Sequence, residues 1–193
     1  MFYDGILIAI ITGLIRRGNF NGFAELRLRS GWIFPLLLVI QILIFITQGK
    51  IVWVAAISEY FFLGIYVVGL YFLWVNRNQA GFYWILIGVF LNFLVMAVNE
   101  GRMPVSLEAA SILDPFYADI LKDGIYAKHQ LLSSATHLGF LGDIVPLSNP
   151  YPREQVISIG DVIMNIGGFI FVQQLMLSGK KTSSASSPLK EAN

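Results

Sequence analysis

VISIGDVIMNIGGFIFVQQLML, residues 156–177, decides the fold class. Its one formal charge is Asp161, close to the start, and everything after it is apolar, small or an uncharged amide. At about 1.5 Å per residue, a helix of this length covers the ~30 Å hydrocarbon core of a bilayer. Ser158 and Asp161 form S-x-x-D just before the run, the pattern of a capping box. In that reading the carboxylate serves the exposed amides at the helix start and suits its positive dipole end.

Four more apolar segments precede it, at about 2–15, 32–48, 51–75 and 82–99. A backbone in lipid must satisfy its own hydrogen bonds, and none of the segments alternates as a barrel strand does, so all five read as helices. The first is short and needs flanking residues, packing or a locally thinned bilayer. The expected fold is all-α: a membrane bundle of about five spans over residues 1–178, with a disordered cytoplasmic tail at 179–193. Composition agrees, with 56% hydrophobic and 13% charged residues. Asp4 stands at the start of the first segment and Arg16-Arg17 follow it, which is the reverse of a cleaved signal peptide, so it reads as a retained span.

Orientation follows from Lys and Arg in the connections. Arg16, Arg17, Arg27, Arg29, Arg77, Lys180, Lys181 and Lys190 fall on one side. Lys50, Arg102, Lys122, Lys128 and Arg153 fall on the other, spread over a much longer loop. The expected topology is a multi-pass cell-membrane protein with the N-terminus outside and the C-terminus cytoplasmic. Phe20, Phe23, Leu26 and Leu28 among the arginines of the first connection suggest an interfacial stretch. Its main role is read as positive-inside anchoring, ahead of a lipid-headgroup site.

The outer loop, 100–155, is the place for an extramembrane element, expected to be partly helical. A short helix is expected from Ser106, and another from Asp114-Pro115 to Gly124. The stretch IYAKHQLLSSATHLGFLGDIVPL is too apolar for a free loop and should lie back on the bundle or re-enter it.

Ionisable groups inside spans are costly and point to function. Glu59 lies about eight residues into the third segment, roughly 12 Å below its outer end. With Arg102, His129, His137, Asp143 and Asp161, it falls on the outer half, and these six are the candidate ligand-binding set. Capping is the leading role for Asp161, and a turn residue for Asp143. Glu100 and Arg102 read as an interfacial ion pair or as solvated ends. Asn92, Asn165, Gln41 and Gln173 read as interhelical hydrogen-bond glue, and Gly160, Gly167 and Gly168 as close-packing positions. Acid–base work by His137 with Asp143 is the catalytic alternative. The chain has no cysteine, and its two histidines are not at helical metal spacing, so no metal or cofactor is expected. The net charge of +1 gives no electrostatic footprint for nucleic acid.

NEGRMPVS, KHQLLSSATHLGFLGDIVPL and VISIGDVIMNIGG, with RRGNF after the first span, together resemble a family of small bacterial membrane proteins, domain of unknown function 5317. The resemblance covers nearly the whole chain. It implies a multi-span helical fold in a bacterial cell membrane and no particular activity. Related chains tend to carry a second glycine before the basic-Met-Pro motif, where this chain has Glu100, which argues against an essential role for that carboxylate.

Three functions fit these residues. The leading one is a non-enzymatic membrane protein binding lipid or a small ligand in an outer polar pocket, as a transport or accessory factor. The alternatives are a scaffold or sensor subunit docking a protein partner through the outer loop, and a membrane-embedded acid–base or metal-assisted hydrolase. Membrane lipids are the expected partners in any case.

Overall fold

The structure is a computed structural model describing residues 2–47, 52–113, 129–151 and 154–185, excepting the side chains of 2–3, 45, 52–59 and 179–185. It is mostly helical. The long helices are α1 (Phe2–Ile15), α3 (Ile33–Thr47), α4 (Val52–Val75), α5 (Phe82–Ala97) and α7 (Ile159–Ala185), with a single turn, α2 (Asn21–Ala24), after α1. These bounds follow the apolar runs closely, because nothing inside a run offers its backbone a competing partner. The exception is α7, which continues to Ala185 through residues expected to be disordered, while 186–193 lie outside the described residues.

α7 is the central helix. Gly5 of α1 meets Asn165, and Gly13 meets Met176, so α1 runs parallel to it. Gly81 meets Gly167 and Gly88 meets Gly160, so α5 runs antiparallel along its other side. α4 packs on α5, and α3 packs on α4. Glycine is required at Gly88, where a Cβ would stand 2.8 Å from the backbone nitrogen of Met164. It is required again at Gly81, whose φ of 80° opens α5 from the left-handed region. The α5–α7 seam therefore brings backbone against backbone.

The bundle is apolar outside and amide-bearing inside. Ile15, Phe34 and Tyr60 are 77%, 61% and 75% exposed, whereas Asn76, Asn92, Asn99, Asn165 and Gln173 are buried. Gln173 donates to the Ala9 carbonyl at 2.5 Å and accepts from Arg16 at 2.9 Å, tying α7 to α1. Gln41 is exposed. Among the described residues, one stretch, Ile159–Ser178, is long and apolar enough to cross a membrane. Asp4–Ile15, Ile33–Ile44, Tyr60–Val75 and Phe82–Ala97 are apolar but shorter.

The segment after α5 departs from the all-α expectation. It holds β1 (Met103–Val105), α6 (Leu107–Leu113), β2 (His129–Leu131), a 3-10 turn at Gly139–Leu141, β3 (Val145–Leu147) and β4 (Gln155–Ile157). β1 pairs with β2 in parallel, Met103 opposite His129, and β3 pairs with β4 antiparallel, Val145 opposite Ile157. Ser106 caps α6, its hydroxyl accepting from the Ala109 amide at 3.3 Å. The helix expected at Asp114–Gly124 lies outside the described residues. Leu141 packs with Val95, Met96 and Met103, so this element rests on the end of α5.

Candidate functional site

The α5–α7 seam ends in a closed ring of hydrogen bonds. The Ser158 amide donates to Asp161 Oδ2 at 3.1 Å, and the Asp161 amide donates to Ser158 Oγ at 3.0 Å, a reciprocal capping box. Asn92 of α5 closes it: its Nδ2 donates to Asp161 Oδ1 at 3.0 Å, and its Oδ1 accepts from the Ser158 hydroxyl at 2.8 Å. Ser158 and Asn92 are buried. Both carboxylate oxygens of Asp161 are thus engaged in joining two helices, a structural role that satisfies the buried groups around it. Asn165, one turn on, donates to the Asp161 carbonyl at 2.8 Å and lies against Gly5.

Asp143 is not a turn residue. Its backbone bridges β1, its amide donating to the Pro104 carbonyl at 2.8 Å and its carbonyl accepting from Ser106 at 2.9 Å. Gly142 makes that approach possible, since a Cβ there would stand 2.5 Å from the Pro104 oxygen. The Asp143 carboxylate faces His129, Oδ2 to Nε2 at 3.6 Å. The structure therefore pairs Asp143 with His129 in place of His137. The β1–β2 register does this, by carrying His129 opposite Met103 while Asp143 bridges Val105 two residues on.

His137 is held by its backbone. Asn99 Oδ1 accepts from its amide at 3.0 Å and Asn99 Nδ2 donates to its carbonyl at 2.7 Å, leaving the side chain exposed. Arg102 is partly buried just before β1, and Glu100 is exposed with φ 56°. Glu59 falls within α4, its side chain outside the described residues. Of the six candidates, the structure brings together His129 and Asp143. Tyr66 of α4, which the sequence reading passed over, lies close enough to both Asp143 and Asp161 to feel their charges. Among the described residues, no three His, Asp or Glu gather as a metal-binding group.

Asn76 and Asn99 were also missed, and they repeat one device. Each sits just past a helix end and returns a bond to the carbonyl four residues back, Phe72 or Val95. Each then grips both backbone groups of a distant residue: Asn76 holds Arg29 at 2.8 and 2.9 Å, as Asn99 holds His137. The available signal is an amide directly after an apolar span.

A groove opens beside this assembly, between α3 and α4. Its volume is about 510 Å³, and Leu37, Ile40, Tyr60, Phe61, Ile65 and Val68 line it. Gly64 lies in the lining, and a Cβ there would meet open space. The size is that of a ligand site, and the lining is apolar.

A model of the family described as a family of unknown function (DUF5317) matches residues 25–173. A relative from Thermotoga maritima, described as an uncharacterized protein, is 29% identical over 171 residues, 89% of each chain. No solved structure matches. The matched span runs from the approach to α3 to the middle of α7 and takes in the Asn92–Ser158–Asp161 ring, both gripping asparagines and the His129–Asp143 pair, and the chain belongs to this family, DUF5317.

Proposed function

We propose that the chain is a five-span bacterial cell-membrane protein, N-terminus outside and C-terminus cytoplasmic, that binds lipid without catalysing a reaction. The observation that carries it is the apolar groove of about 510 Å³ between α3 and α4. It lies along helices whose outward side chains are apolar, where an acyl chain is the occupant of matching chemistry. The exposed apolar girdle supports the spans, since a soluble surface of this kind would be an aggregation liability. At 14–16 residues, α1, α3 and α5 are short for a ~30 Å core, a mismatch that local thinning and flanking residues absorb. A protein that deforms its bilayer in this way suits an accessory role in lipid handling or transport.

Gly64→Leu tests the groove. The side chain enters open space and leucine favours the helix, so the fold should hold. Native mass spectrometry of the detergent-purified protein should show lipid on the parent chain and at least about a tenfold loss in the variant. Equal lipid retention by both would remove the groove as the site.

One observation favours a second reading, a scaffold or sensor subunit. Ile112 and Phe140 of the segment after α5 are 56% and 62% exposed, large apolar side chains of the kind partners cover. Crosslinking abolished by Ile112→Ser and Phe140→Ser but indifferent to Gly64→Leu would favour it. For the hydrolase alternative, the hydroxyls of Ser133 and Thr136 are tied within their own exposed turn.

A further inference from the structure

At the opposite end of the bundle from the His129–Asp143 pair, a cleft of about 210 Å³ lies between the segment after α2, the α4–α5 connection and α7. Glu25, Arg27, Gln79, Gln174 and Ser178 supply its polar lining, and Phe171 its apolar part. Gly22 permits the close seat of α2, since a Cβ there would collide with the Leu175 carbonyl. The cleft contains one carboxylate and one guanidinium. Among the described residues, the side chains of Glu25, Arg27, Gln79 and Gln174 make no hydrogen bond or ion pair within the chain.

The surroundings are those of a membrane–water boundary. Trp32, Trp74, Phe20 and Phe23 are exposed at this end, and the Arg77 guanidinium lies over the Trp74 ring at 4.4 Å. Aromatic rings among arginines are the interfacial anchor pattern. A ligand reaching this cleft therefore arrives at headgroup depth.

We propose that the cleft seats the headgroup of a phosphoethanolamine phospholipid from the adjoining leaflet. Arg27 takes the phosphodiester, where a guanidinium offers several donors in a fixed fork. Gln79 and Gln174 add neutral amide donors, and Glu25 takes the ammonium. A purely anionic headgroup would satisfy Arg27 and leave Glu25 in repulsion. A choline headgroup carries no N–H to donate and presents three methyl groups to a carboxylate. The inference rests on the membrane reading above but uses a different set of residues from those lining the α3–α4 groove.

Reconstitution into vesicles of phosphatidylcholine containing equal amounts of phosphatidylethanolamine and phosphatidylglycerol, followed by native mass spectrometry, tests it. The parent chain should retain the ethanolamine lipid over the other two by about tenfold, the size of one charge-assisted contact. Glu25→Gln should erase that preference, and Arg27→Gln should lower retention of all three lipids at this site. Both residues are exposed, so unchanged thermal unfolding should confirm an intact fold. Indifference to headgroup in the parent chain, or a preference surviving Glu25→Gln, would overturn the proposal. So would displacement of the lipid by an equal concentration of free phosphoethanolamine, which would mark a soluble ligand instead. Gly64→Leu separates the two sites: a failed groove leaves the headgroup preference intact, and a failed cleft leaves the groove's lipid loss intact.

Discussion

Asp161 shows how a costly group in an apolar run is made tolerable. Its two oxygens accept from two different donors, Ser158 N–H and Asn92 Nδ2–H. An amide at this position offers one acceptor and turns an NH2 toward the other donor. Asp161→Asn should therefore lower stability by about 2 kcal/mol, read as a fall in thermal unfolding temperature in detergent. A neutral result would mean that the ring contributes little. Glu100 is the converse case, a residue strained for no evident return. It closes α5 at φ 56°, where glycine is the natural occupant, and its side chain is exposed. Glu100→Gly should stabilise the protein by about 0.5–1 kcal/mol in the same assay, and destabilisation would show that the carboxylate has a role. The capping box was legible in the sequence because its partners are three residues apart. The His129–Asp143 pair was not, because a strand register across 26 residues sets it and local pattern carries no record of that pairing.

The helices were legible as elements because each is a long unbroken apolar run without the alternation of a strand. The three-residue strands after α5 were not, since each depends on a distant partner strand and none is long enough to show alternation. Packing between the elements divides the glycines into two kinds. At Gly88 an added Cβ meets the α7 backbone, which cannot move aside as a side chain can. Gly88→Val should cost about 2 kcal/mol or more and broaden the size-exclusion profile of the purified protein. Gly64, facing the open groove, should accept leucine without such loss. If both variants behave alike, the α5–α7 seam is not the tight joint described above.

At the scale of the whole molecule, the two ends differ in chemistry. One carries the strands, the His129–Asp143 pair and the Ser158 ring; the other carries arginines, exposed aromatics and the mixed-charge cleft. Charge asymmetry made that polarity legible from sequence, whereas the contents of each end depend on contacts between distant segments. The proposed membrane orientation puts the first end outside and the second inside. The absence of cysteine allows a direct test, because a single introduced thiol has no background. Ser134→Cys and Asn78→Cys place thiols at exposed positions at opposite ends of the bundle. In intact cells treated with a membrane-impermeant maleimide, Ser134→Cys should label at once and Asn78→Cys only after permeabilisation. Equal labelling of both before permeabilisation, or recovery of the protein in the soluble fraction, would contradict the spanning arrangement on which the proposed lipid sites depend.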